Sequence, residues 1–166
     1  MLSVVTALFL VLMIIAAAGD VLTRRIPNLL VLLVAGLFFP AAWASGMPLA
    51  SILLHSATGL GLLFAAFVLF SLGYLGGGDA KLLGAAGLWF GAASLPQFLS
   101  LTVFAGGILA LGVLAWSLVM YQAQYRQFEC AERLAWVRPS VPYGFAIAVG
   151  VILSVPGSWL GPAASI

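Results

Sequence analysis

Charge is what this chain has least of. Of 166 residues, four are acidic, six are Lys or Arg and one is histidine. An ordinary soluble domain is roughly a quarter charged and covers its surface with those groups. Ten charges cannot do this for a chain of this size, so a water-soluble fold is excluded and lipid is the solvent for most of it. Cysteine and histidine are as scarce. Cys130 and His55 each stand alone, which rules out a disulfide framework and a Cys/His cluster of the structural zinc type. The formal net charge of +2 is too small to point to nucleic acid as a partner. Low-complexity tails, linkers and long repeats are also missing.

What is present is a series of apolar runs. Leu2 to Gly19 is uncharged and long enough to span a bilayer. Arg24 and Arg25 follow it, where a cleavable signal peptide would place its basic residues first. The positive-inside rule then puts the N-terminus outside and Asp20 to Asn28 in the cytoplasm. A second run starts at Pro27, a first-turn proline, and fades at Ala44 before a Ser45-Gly46-Met47-Pro48 turn. Leu49 to Tyr74 is the third, interrupted by Gly76-Gly77-Gly78-Asp79-Ala80-Lys81. The fourth, Leu82 to Leu95, reaches only about 21 Å at 1.5 Å per residue, against a hydrocarbon core of roughly 30 Å. The fifth is Phe98 to Met120 and the sixth Val141 to Trp159.

The short fourth run either crosses or dips and returns. A dip would leave Arg126, Arg133 and Arg138 outside, against the positive-inside bias, so a crossing is preferred. The expected fold is an all-α, polytopic helix bundle of six membrane helices with both termini outside, forming a single domain over residues 1–166. The helices are expected at 2–19, 27–44, 49–74, 82–95, 98–120 and 141–159, with 121–140 as a cytoplasmic interfacial segment. All ten charged residues then fall on the cytoplasmic side. Small residues at helical spacing, Ala57, Gly61 and Ala65 in the third run and Gly84, Gly87 and Gly91 in the fourth, allow close packing.

Asp20 and Asp79 are the only aspartates, and both fall at the cytoplasmic ends of different helices. Ionisable groups at membrane depth are costly and mark functional sites. Two carboxylates within a few ångströms of each other share one proton and titrate as a unit. One can then take a proton from water while the other gives one to a peptide carbonyl, as in aspartic proteases, with no cofactor or metal required. The competing structural reading makes Asp20 a helix-end partner of Arg24 and Asp79 a cap of the fourth helix. Three glycines before Asp79 favour the functional reading, because they permit positive φ and close approach of a substrate strand or another helix.

Three segments carry a family resemblance. Gly76-Gly77-Gly78-Asp79 fits the GxGD motif of intramembrane aspartyl proteases, and Gly78-Asp79-Ala80-Lys81-Leu82-Leu83 resembles the version in type IV prepilin peptidases. Asp20 followed by Thr23-Arg24-Arg25-Ile26-Pro27-Asn28 is similar to that family's first catalytic segment. Val141-Pro142-Tyr143-Gly144 is similar to the opening of the last helix in short members that serve Flp or tight-adherence pili. The resemblance implies that Asp20 and Asp79 are a catalytic pair, that Gly76, Gly77, Gly78 and Lys81 form an active-site loop, and that the substrates are prepilins or pseudopilins. Such enzymes cut a short basic leader at the cytoplasmic face of the bacterial inner membrane, just before the pilin's hydrophobic helix. Larger members carry a cytoplasmic domain with paired cysteines between the first two helices and also N-methylate the new terminus. With a short loop there and no cysteine pair, this chain is expected to cleave without methylation.

Other candidates are weaker. Lys81 either stabilises charge at the aspartates or anchors the inner face. Arg24 and Arg25 set topology, His55 is structural, and Cys130 is inert. Tyr121 to Arg138 has the pattern of an amphipathic interfacial helix, with Glu129 and Arg133 at i,i+4. Glu129 and Glu132 are candidate contacts for a basic leader. Two other classes use the same residues: a small proton-coupled transporter with the carboxylates as a relay, and a non-catalytic membrane scaffold.

Overall fold

The structure is a computed structural model that describes residues 2–125 and 142–161. The described residues are helical with short turns: α1 Leu2–Thr23, α2 Asn28–Ala44, α3 Leu49–Ser71, α4 Gly77–Tyr125 and α5 Tyr143–Ser154, followed by a 3-10 turn at Val155–Gly157. Three stretches, Val4–Thr23, Leu49–Ser71 and Gly77–Met120, are long and apolar enough to cross a membrane, and two shorter apolar helices, Asn28–Ala44 and Tyr143–Gly157, accompany them. Large apolar side chains such as Leu22, Phe64 and Phe104 are exposed on the outside of the bundle. In water this would be ruinous; in lipid it costs nothing, and the chain is a membrane protein.

The first three helices end on residues in the left-handed region. Arg24 (φ 54) donates its N–H to the Asp20 carbonyl at 3.0 Å, closing α1 with a single αL turn. Gly46 (φ 73) ends α2 through Met47 N–H to Ala42 C=O, and Gly73 (φ 79) ends α3 through Tyr74 N–H to Leu69 C=O at 2.9 Å. Both are Schellman turns. The second stops α3 at Ser71, short of Tyr74, and α1 runs four residues past Gly19 to include Asp20. Pro27 is the N-cap of α2, one residue before its first helical position.

Helix α4 is broken at Gly91, whose φ of 59 and ψ of −178 lie in a region only glycine occupies readily. Before the break α4 lies antiparallel to α3, with Gly77 against Phe70, Gly84 against Leu63 and Gly91 against His55. After it α4 lies antiparallel to α5, with Gln97 by Gly157, Thr102 by Gly150 and Ala146 by Gly106. Gly91 is therefore a break point as well as a small packing residue. Helix breaks leave backbone carbonyls short of partners. Here His55 Nδ1 lies 2.7 Å from the Leu88 carbonyl, and Trp159 Nε1 donates to the Trp89 carbonyl at 2.6 Å. Because a carbonyl only accepts, Nδ1 of His55 carries the proton.

The core lies between α1, α2, α5 and the first part of α4. Phe9 stacks on Trp89 at 4.2 Å, Phe38 stacks on His55 at 5.6 Å, and Trp159 stacks on Trp89 at 6.1 Å. Trp89 Nε1 also donates to the Val34 carbonyl of α2 at 3.0 Å. The small residues of α4 pack as their spacing suggests: a Cβ at Gly84 would sit 2.6 Å from Leu63 Cβ, and one at Gly87 would sit 2.9 Å from Leu62 Cδ2. On α3 the packing face differs from the expected one. Gly59 and Ala66 are buried, whereas Ala57, Gly61 and Ala65 are exposed. Each residue turns a helix by 100°, so the neighbouring stripe faces lipid instead of α4.

Candidate active site

Asp20 lies near the C-terminal end of α1 and Asp79 in the first turn of α4, and the fold brings their side chains together. Both are buried, with relative exposures of 6% and 9%, and the two carboxylates interact electrostatically. Helix α5 joins them. Its first turn has free N–H groups, as every helix N-terminus does, and the Gly144 N–H donates to Asp20 Oδ2 at 2.8 Å. The same backbone group bears on Asp79. Asp20, from one end of the chain, thus supplies a hydrogen-bond acceptor for the last helix.

Glycine is required at 144 by contact. A Cβ there would sit 2.9 Å from both Cβ and Oδ2 of Asp20 and 3.0 Å from its Cγ. Pro142 is the N-cap of α5 and Tyr143 its first residue, so the Pro-Tyr-Gly segment starts the helix where its second residue meets Asp20.

The glycine triplet works the same way. Gly76 is the N-cap of α4, its carbonyl accepting from Ala80 N–H at 3.0 Å. Asp79, three residues on, reaches back toward the Gly76 backbone, the geometry of half a capping box. A Cβ at Gly76 would lie 2.6 Å from Asp79 Oδ2, one at Gly77 3.3 Å from Phe70, and one at Gly78 3.3 Å from Ile26. None of the three has positive φ; close approach alone explains them. Gly77, Gly78 and Lys81 are helical and only Gly76 lies in the connection. The active-site loop expected at this point is mostly the first turn of a helix, because Gly76 caps it directly.

Ile26 packing on Gly78 brings the Arg25-Ile26-Pro27-Asn28 segment over the start of α4. Asn28 Oδ1 then accepts from Lys81 Nζ at 3.0 Å. Arg24, Arg25, Ile26, Pro27, Asn28, Gly76 to Gly78, Lys81 and both aspartates line one open cleft of about 620 Å³. Asp79 Oδ1 is buried there without a hydrogen-bond partner. An unpaired buried carboxylate oxygen is expensive in a resting protein and useful where a proton or a water must be held.

Among the described residues, no three His, Cys, Asp or Glu side chains gather as a metal site would require. Glu129, Glu132, Cys130 and most of the 121–140 interfacial segment lie outside the described residues. Two features escaped the sequence: the Gly144 amide as the group that holds Asp20, and the service of His55 and Trp159 at the α4 break. The Pro-Tyr-Gly opening was a signal for the first. For the second, a lone histidine among apolar residues was the only hint.

Comparison with known families gives one match. The family model for the type IV leader peptidase family matches residues 7–111, more than half of the chain; the match includes both aspartates and stops short of Gly144. No curated protein and no solved structure matches the chain. A match of this extent, over a helical membrane protein that brings its two buried aspartates to one open cleft, shows that the chain belongs to the type IV leader peptidase family.

Proposed function

We propose that the protein is an intramembrane aspartic endopeptidase that removes the basic leader of type IV prepilin-like precursors, of the Flp type, without N-methylation. One observation carries it: the only two aspartates of the chain, 59 positions apart, meet as buried side chains in one open cleft, around a single backbone amide. The reaction needs one carboxyl of the pair ionised and the other protonated. The ionised member takes a proton from water as it attacks the scissile carbonyl, while the protonated member donates to the carbonyl oxygen; the proton taken from water then passes to the leaving amine as the C–N bond breaks, and the tetrahedral hydroxyl returns its proton to the other carboxylate. The Gly144 N–H fixes Asp20, and the unpaired Oδ1 of Asp79 is free to bind the water.

The site is assigned to the cytoplasmic face of the bacterial inner membrane, in a single-domain protein of six crossings with the N-terminus outside. The Arg24-Arg25 pair beside the cleft supports that side, and the break at Gly91, which turns α4 from α3 to α5, supports two passes by that helix. Partners are prepilin or pseudopilin precursors and the lipid around the bundle. A proton-coupled transporter would want polar groups across the outer half, yet His55 there is engaged by the Leu88 carbonyl. Asp20→Asn and Asp79→Asn, tested separately in proteoliposomes with a prepilin precursor, should each abolish cleavage while leaving the protein folded. Processing at the wild-type rate by either variant would overturn the dyad.

A further inference from the structure

A second cavity lies against the catalytic cleft. It is an apolar groove of about 460 Å³, bounded by α2, α3 and the first part of α4. On α2 its lining runs from Asn28 to Ala35 and on α4 from Lys81 to Leu88, each at successive one-turn spacings, while Leu60 and Leu63 of α3 close the far side. Seven residues at 1.5 Å make it about 10 Å long, two helical turns. Helices α2 and α3 each pack on α4, so α4 is the floor between them.

The groove and the cleft share two residues, Asn28 and Lys81, which are hydrogen-bonded to each other. A chain leaving the aspartates toward the bilayer interior therefore passes this polar pair and enters an apolar channel. Leu32 and Leu60, on opposite walls, are 67% and 65% exposed, so the channel is open sideways to lipid. An apolar helix already in the membrane can enter without losing water contacts, and it meets one-turn ridges spaced to take its own side chains.

We infer that this groove seats the first two turns of the substrate's hydrophobic helix, the part that follows the scissile bond, with the Asn28–Lys81 pair marking where extended chain ends and helix begins. The inference rests on the peptidase reading for the identity of the occupant. It makes α2 and α3 determinants of substrate recognition at positions that touch neither aspartate.

Disulfide trapping tests it. The background is Cys130→Ser with Asp79→Asn, reconstituted in lipid vesicles. Cysteines are placed singly in the groove, Leu60→Cys or Leu32→Cys on the facing wall, and as a control at Val103→Cys, which is 72% exposed on the later part of α4. The probe is a synthetic precursor with a basic leader, about 20 apolar residues and one cysteine two turns past the scissile bond. A seated helix raises the local thiol concentration, so groove positions should cross-link at least about ten-fold faster than the control. Equal rates, or cross-linking nowhere, would overturn the groove and leave lipid tails as its occupant. Because trapping needs no cleavage, the two readings separate: groove cross-linking without wild-type cleavage defeats the peptidase proposal, and wild-type cleavage without groove cross-linking defeats this one.

Discussion

Adding one methyl group at Gly144 should disable the proposed enzyme without touching either aspartate. The Cβ of Gly144→Ala would lie 2.9 Å from Asp20 Cβ, whereas carbon atoms prefer roughly 3.5 to 4.0 Å. Either Asp20 or the start of α5 must move by nearly that difference, and both outcomes break the 2.8 Å bond from the Gly144 N–H to Oδ2. A hydrogen bond to a charged group is worth about 1.5–3 kcal/mol, which converts to a rate loss of roughly ten- to 150-fold. Displacement leads to the same figure, since misplacing a catalytic group by about 1 Å costs on the order of 100-fold. The expected result is a fall of about two orders of magnitude in kcat for precursor cleavage in proteoliposomes, with KM little changed, because the altered contact is with the chemistry and not the substrate. Gly107→Ala is the control, having nothing within 4 Å of an added Cβ; it should cleave like wild type. Wild-type turnover by Gly144→Ala would refute the role given to this amide and with it the link between α5 and Asp20.

Three further outcomes follow from the break in α4 and the edge of the cleft. Gly91→Ala forces a side chain into a backbone conformation that costs about 1–3 kcal/mol, and its Cβ would lie 2.5 Å from the His55 ring; thermal unfolding in detergent should drop by several degrees. His55→Ala also destabilises by leaving the Leu88 carbonyl short of a donor, but the double variant should lose less than the sum of the two, because the ring is no longer in the way. Strict additivity would argue against the contact. Lys81→Met removes the exposed hydrogen bond to Asn28 and should cost no more than about 1.5 kcal/mol of stability, so a collapse of the fold would show that Lys81 does more than edge the cleft.

The two aspartates, the glycines before the second and the Pro-Tyr-Gly opening of the last helix were all legible as features of one chain, and they are residues that the fold brings together. The work each glycine does was not legible. Gly84, Gly87 and Gly91 form one regular series in the sequence, yet the first two admit α3 and the third breaks the helix, a difference set by His55 and Trp159 arriving from elsewhere in the chain. The small-residue stripe on α3 was placed one face away for a related reason. A helix apolar on all sides has no polar face to say which way it turns.

The sequence by itself determined the solvent, the helical class and which two ionisable groups are candidates for a site, because these follow from what lipid tolerates residue by residue. Tertiary structure alone decided which amide holds Asp20, where α4 breaks and that an apolar groove opens beside the cleft. Those depend on the shapes of helices in contact, and in a uniformly apolar chain shape, unlike polarity, leaves no periodic mark.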